Sequence, residues 1–179
     1  MSIPPGVEIK HAQVATYGGE GEWFAYDGEL AFENVMILLG YKKDGFGADN
    51  YNPFAGPIAS GEDGLDAARR DLLQQTGLEA KHIVFHGTIR VKLEGMDQSL
   101  NCSMYKVTKW EGEPKETDTM VPEWFAPNEI PYTKMFDDDI HWVPLFLGAK
   151  KFVGRADFAK AGEGQHVGKL LRWWFGTYD

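Results

Sequence analysis

Apolar and polar positions along this chain repeat with two different periods, and each period predicts a different kind of element. The clearest helical stretch lies within Gly56 to Leu78, GPIASGEDGLDAARRDLLQQTGL. Leu65, Ala68 and Leu72 step by three and four, which puts them on one face of a helix. Asp71, Gln74 and Gln75 fall together on the other side. Ser60 followed by Asp63 reads as a capping-box-like start with acid in the first turn, and Gly77 stands where a helix C′ residue belongs. Elsewhere the apolar runs are short or alternate. Asn34 to Leu39, ending at Gly40, has the length of a buried strand rather than a helix. Ile83-Val-Phe85 and Thr88 to Leu93 read as two strands, the second turning Ile89, Val91 and Leu93 to one side. Gly95 to Gln98 makes a turn, Asn101 to Val107 a partner strand, and Trp124-Phe125 a further short strand before Pro127. Leu145-Phe-Leu147 marks a second helix. Phe152 to Phe158 and Lys169 to Phe175 close the chain as strands, the last alternating Leu171, Trp173 and Phe175.

Gly18, Gly19, Gly21 and Gly28 among Trp23, Phe24 and Tyr26 point to an early strand or hairpin. Lys42 to Pro57 holds too much Gly, Asn and Pro for regular structure, and reads as a shaped loop leading into the first helix. Strands interrupted by two helices, with hairpins in place of regular βαβ alternation, predict an α+β layered fold. No repeat, low-complexity stretch or polar linker divides the 179 residues, so a single domain over 1–179 is expected.

Composition narrows the partners. With 43% hydrophobic and 13% aromatic residues the chain can fill one core. Eighteen basic against 27 acidic residues give a net charge of −9, which disfavours a nucleic-acid polymer or an anionic membrane and leaves a small molecule as the expected ligand. Oligomeric state is left open. Cys102 is the one cysteine, so no intrachain disulfide is expected and the residue reads as a small core side chain. The start lacks a basic n-region and an apolar h-region, and no stretch approaches the roughly 20 apolar residues of a membrane span, so a cytoplasmic location is expected. His11, His82, His86, His141 and His166 lie on separate segments without metal-ligand spacing.

Gly56, Glu62, Arg70, Leu72, Gly77 and Leu78 stand in the register Gly-x5-Glu-x7-Arg-Glu-U-x-Glu-Glu-x-Gly-U, where U is a bulky aliphatic residue. The stretch therefore resembles the Nudix box. The resemblance implies a Nudix-type mixed sheet sandwiched between helices in α/β/α layers. It also implies a helix face on which three Glu hold divalent cations against a diphosphate, because that chemistry needs hard anionic oxygen ligands and a poised water. Here those positions are Asp71, Gln74 and Gln75. A Gln offers a neutral carbonyl and no charge, so no metal and no cofactor are expected, with Mg²⁺ entering only if residual hydrolysis exists.

Beyond the box, Leu38 to Ala48 and Asn52-x-Phe54-x-Gly56 are similar to the entry strand and pocket loop of one Nudix branch, the oxidised purine nucleoside triphosphate hydrolases. Met120, Trp124-Phe125, Ile130-Pro131, Met135 to Asp139, Trp142, Pro144-Leu145, Lys150 to Phe152 and Phe158 continue the likeness, which spans residues 35 to 158 without gaps and leaves residues 1–30 as an unaligned extension. The resemblance implies that Asn52, Asp138 and Asp139 read a purine edge, with Lys42, Phe46, Met120, Phe136, Trp142 and Phe158 around it. Phe136 replaces a Trp of the branch, Thr119 an additional Glu near the metals, and Ala55 and Pro57 a Gly and a basic residue beside Gly56. The departures gather at the phosphate and metal end, and the pocket end is kept. The expected protein binds a planar or hydrophobic small molecule, with metal-dependent diphosphate hydrolysis lost or very weak. Two alternatives stay open. One is a metal-independent acid–base enzyme of isomerase or cyclase type, in which Asp138, Asp139 and His141 carry the chemistry, since adjacent desolvated carboxyls can share a proton. The other is a weak Mg²⁺-dependent oxidised purine nucleotide diphosphatase that uses Glu62 and Asp71.

Overall fold

The computed structural model describes residues 36–179, and residues 13–18 as backbone. The element order is β1 (Gln13–Gly18), β2 (Ile37–Lys42), β3 (Tyr51–Asn52), α1 (Gly64–Thr76), β4 (Glu79–Leu93), β5 (Leu100–Glu111), β6 (Met120–Phe125), α2 (Asp139–Leu147), β7 (Lys151–Phe158) and β8 (Leu170–Tyr178). The class is α+β. A mixed sheet runs β1-β8-β7-β4-β5 and a second sheet runs β3-β2-β6. β4 and β7 are parallel, whereas β8 is antiparallel to both β1 and β7, and β2 is antiparallel to both β3 and β6. Among the described residues no helix is long and apolar enough to cross a membrane. Of the early strand or hairpin, β1 is seen; Trp23, Phe24 and Tyr26 lie outside the described residues, as does His11.

The chain folds as two compact units. One contains β1, His86–Met104 and Phe136–Asp179, and the other Asn34–Phe85 and Tyr105–Met135. In the first, α2 packs on β7 and β8. Phe152, Phe175, Val143 and Ala156 are fully buried there, and the Trp142 ring lies parallel to Phe152 with centroids 6.1 Å apart. Two strand glycines make this core possible. A Cβ on Gly87 would sit 2.6 Å from the Phe152 ring, and one on Gly154 would sit 1.8 Å from Cδ1 of Phe175, the residue opposite it across the β7/β8 ladder. In the second unit, α1 packs against β6 and the buried side chains include Leu39, Ala67, Leu78, Met120, Ile130 and Met135.

Four expectations change. The two strands expected at Ile83–Phe85 and Thr88–Leu93 are one continuous strand, because Gly87 admits an aromatic ring rather than ending the ladder. The loop from Lys42 to Pro57 contains the short β3, paired to β2. The second helix begins at Asp139 and runs through Pro144, ahead of the apolar run that signalled it. Along β8, Leu171 is exposed while Trp174 and Phe175 are both buried. Alternation fails because Trp174 and Phe175 are buried in succession, and Leu171 falls at the register shift opposite Asp157 and Phe158.

Gly154→Ala is expected to lower stability by about 1–3 kcal/mol, the usual range for overpacking. A urea midpoint equal to that of the parent protein would contradict the Phe175 contact.

Candidate functional site

The segment that resembles the Nudix box lies in the second unit. Asp63, not Ser60, caps α1: its Oδ1 accepts from the amides of Leu65 and Asp66, each at 2.9 Å. Ser60 is taken up in a turn closed by the Glu62 amide on the Ala59 carbonyl, with Gly61 at φ 82°. The buried helix positions are Ala67, Asp71 and Thr76, and Leu65, Ala68 and Leu72 are half-buried. The inward face is thus rotated from the one that apolar spacing marks, because the loop through Gly56 lies over Asp71. A Cβ on Gly56 would stand 2.9 Å from both carboxylate oxygens. Asp71 is 5% exposed; burial pushes its carboxyl above the ordinary range, opposed by Arg70, whose Nη1 is 3.4 Å away. Asp71, Gln74 and Gln75 therefore do not share an open surface. Gln74 is exposed, and Gln75 Nε2 donates to the Ala55 carbonyl at 3.0 Å.

Glu62 is tied on both oxygens. Oε1 accepts from Arg70 Nε, and Oε2 accepts from Arg70 Nη2 and from the Ala59 amide, each at 3.0 Å. These bonds, the Ala59 amide first, hold its carboxyl below the usual range. Arg70 Nη2 also donates to the Pro57 carbonyl at 3.0 Å. Thr119 is exposed, and its carbonyl accepts from the Lys43 amide. Among the described residues no group of three or more His, Cys, Asp or Glu is placed to hold a metal ion.

Asn52 sits in the same unit on β3, 8% exposed. Its Nδ2 donates to the carbonyls of Gly47 at 3.0 Å and Asn50 at 2.9 Å. This closes the loop in which Asp49 takes φ 63° and receives Tyr41 Oη on its carboxylate. Lys42, at the end of β2, is half-buried, Phe46 is 48% exposed and Met120 is buried. Gly40 pairs with Asn52 across the β2/β3 ladder, and a Cβ on it would be 2.8 Å from both Met120 Sδ and Phe54 Cε1. Phe54 therefore joins this cluster, although the sequence reading gave it no role. The glycine in an otherwise apolar strand was the available signal.

The carboxyl pair lies in the first unit. Asp138 occupies the N-cap position of α2 and Asp139 is its first residue; they are 5% and 3% exposed. Asp139 Oδ2 accepts from the Phe136 amide at 3.0 Å and Oδ1 from Trp142 Nε1 at 2.8 Å. Asp137 is exposed, and its Oδ2 accepts from the Leu170 amide. Burial pushes the Asp138 carboxyl up to about 7. Burial, and then the charge of Asp138, push Asp139 well above the ordinary range, against the hydrogen bonds that favour its anion. At neutral pH such a pair offers a proton donor beside an acceptor. His141 is half-buried, with its ring stacked flat on Trp173 at 4.0 Å between centroids. Burial lowers its pKa, which favours the neutral ring. Trp173, on β8, is the packing partner that fixes this ring. Phe158 is buried and Phe136 half-buried. The Cys102 thiol is pushed up by burial and then by the Asp138 charge, which makes it a poor nucleophile.

No family model matches the chain. It is 40% identical over 129 residues to the oxidized purine nucleoside triphosphate hydrolase of Danio rerio, and 35% identical over 129 residues to the protein of that name from Mus musculus. Each match covers 72% of this chain and 83% of the relative. Among solved structures, the mutator MutT protein of Bacillus halodurans superposes with a TM-score of 0.66 at 20% identity, over 79% of this chain and 90% of that one. This shows the shared fold.

The pair has a consequence for stability. Asp138 binds its proton more tightly folded than unfolded, so its contribution is fully present below the unfolded value and is lost as pH rises through about 7. Urea midpoints are expected to fall across that window, and Asp138→Asn to flatten the fall. An unchanged slope in the variant would contradict the burial of an ionisable carboxyl here.

Proposed function

We infer the function of this chain from its family: it belongs to the Nudix superfamily, in the branch of the oxidised purine nucleoside triphosphate hydrolases. We propose that it binds a planar, purine-like or hydrophobic small molecule, and that it hydrolyses diphosphates with a divalent cation weakly or not at all. The observation that carries this reading is the buried Asp138–Asp139 pair, kept while the donor set on α1 has changed. A shared proton lets one carboxyl donate and the other accept, which suits a heterocycle edge that presents both kinds of group. Phe136, Trp142 and Phe158 are the apolar side chains proposed to accompany the pair.

The residues present do not fit Mg²⁺. Where bound, that ion supplies Lewis acidity and an activated water, and it demands near-octahedral hard oxygen ligands. Glu62 is tied on both oxygens to Arg70 and Ala59, Asp71 is shielded under Gly56, and Gln74, Gln75 and Thr119 carry no charge. Two further readings have specific support. The Asp138 carboxyl near 7 suits metal-independent acid–base catalysis of isomerase or cyclase type. Conversion of a copurifying metabolite in chelator, abolished by Asp139→Asn, would favour it. The name of the zebrafish and mouse relatives supports residual hydrolysis, with Glu62, Asp71 and the substrate phosphates recruiting Mg²⁺. Gln74→Glu with Gln75→Glu tests that reading by the gain in rate.

Native mass spectrometry of the purified protein, followed by a panel of nucleoside triphosphates with magnesium and with chelator, tests the proposal. Binding that survives chelator, without magnesium-stimulated phosphate release, is expected. Asp139→Asn is expected to weaken binding by about 1.5–3 kcal/mol, the range for a hydrogen bond to a charged group. Robust magnesium-dependent turnover by the parent protein would overturn it.

A further inference from the structure

Gln75 occupies a carboxylate position of the box, yet the bond it makes is one that a carboxylate cannot make. Nε2 donates to the Ala55 carbonyl at 3.0 Å, while Oε1 is buried and has no hydrogen-bond partner among the described residues. The side chain is thus engaged through its N–H and not through its oxygen. An ionised Glu here would bring an anionic acceptor against a carbonyl acceptor. That pairing needs a proton or a cation between the two oxygens.

We propose that Gln75 is a positioning residue, an amide latch that holds the loop after Asn52 against α1 without a cation and without dependence on pH. The inference rests on the preceding reading that this helix no longer serves a metal. The loop is tied at three alternate positions. Gln75 holds the Ala55 carbonyl, Arg70 holds the Pro57 carbonyl, and Glu62 receives the Ala59 amide. Gly56, between the first two ties, lies directly on Asp71. The Gln75 tie is the one nearest Asn52 and Phe54, so it sets where that end of the loop leaves β3.

The ionisable groups around this position are shared by parent and variants, and they cancel in comparison. Asp71 lies one turn earlier on α1, and Arg70 is engaged with Glu62 and Asp71. Lys115 lies beside the C-cap, with its amide on the Thr76 carbonyl. Glu123 of β6, the strand against which α1 packs, accepts from Tyr51 Oη.

Thermal unfolding and hydrogen exchange at the amides of Phe54, Ala55 and Gly56, followed across pH in the parent, Gln75→Glu and Gln75→Met, test the latch. A Glu facing a carbonyl has its folded pKa raised, so Gln75→Glu is expected to match the parent at acid pH, where its own proton bridges to Ala55. It then falls below the parent as pH rises through that pKa, and magnesium restores it at neutral pH. Exchange in the unlatched state is expected to be about tenfold faster. Gln75→Met is expected to lose the latch at every pH and to ignore magnesium. Parent-like melting and exchange in both variants, or equal losses in both at every pH, would overturn the proposal. Because these readouts involve no turnover, they judge Gln75 separately from the functional reading, which magnesium-dependent hydrolysis by the parent would defeat on its own.

Discussion

Removing two adjacent carboxyls from water is the constraint that shapes the start of α2, since neither can ionise freely and each must be held by the backbone and side chains around it. Asp139 meets that requirement through the Phe136 amide and the Trp142 indole. Trp142 is itself fixed by the parallel Phe152 ring, and Phe152 can occupy its place because Gly87 has no side chain. A chemical property of the pair, a proton held to near neutrality, therefore depends on a packing chain that ends at a strand glycine. The helix start favours the anion and burial favours the acid; burial is the larger effect at Asp138.

On α1 the same physics works in the other direction. Its ionic groups are mostly satisfied within the protein. Glu62 and Arg70 form a closed pair that also ties two points of the preceding loop, and Asp71 is tucked beneath Gly56. What remains of the box keeps its shape and capping, with Asp63 at the start and Gly77 in the left-handed conformation at the end. A helix arranged in this way builds the fold and positions the loop beside it.

Much of the fold was legible in the chain. The three–four spacing located α1, alternation located the second half of β4, the turn at Gly95 to Gln98 located β5, and the residues resembling the Nudix branch led to the family. The errors have physical causes. Ser60 and Asp63 are both good caps, and only the left-handed Gly61 decides between them. Gly87 reads as a strand break until the aromatic ring that uses its missing side chain is seen. The resemblance pointed to Asp138 and Asp139 as a desolvated pair, and both are buried at the start of α2; three consecutive acids alone carry no such signal. The role of Gln75 was beyond sequence reasoning, since its partner is a backbone carbonyl twenty residues away.

On the function proposed above, the Nudix helix of this chain has exchanged cation binding for internal hydrogen bonding. Calorimetric titration of magnesium into the purified protein without nucleotide is the sharpest check of that exchange. No saturable binding is expected in the millimolar range, and saturable binding that Asp71→Asn removes would overturn the exchange.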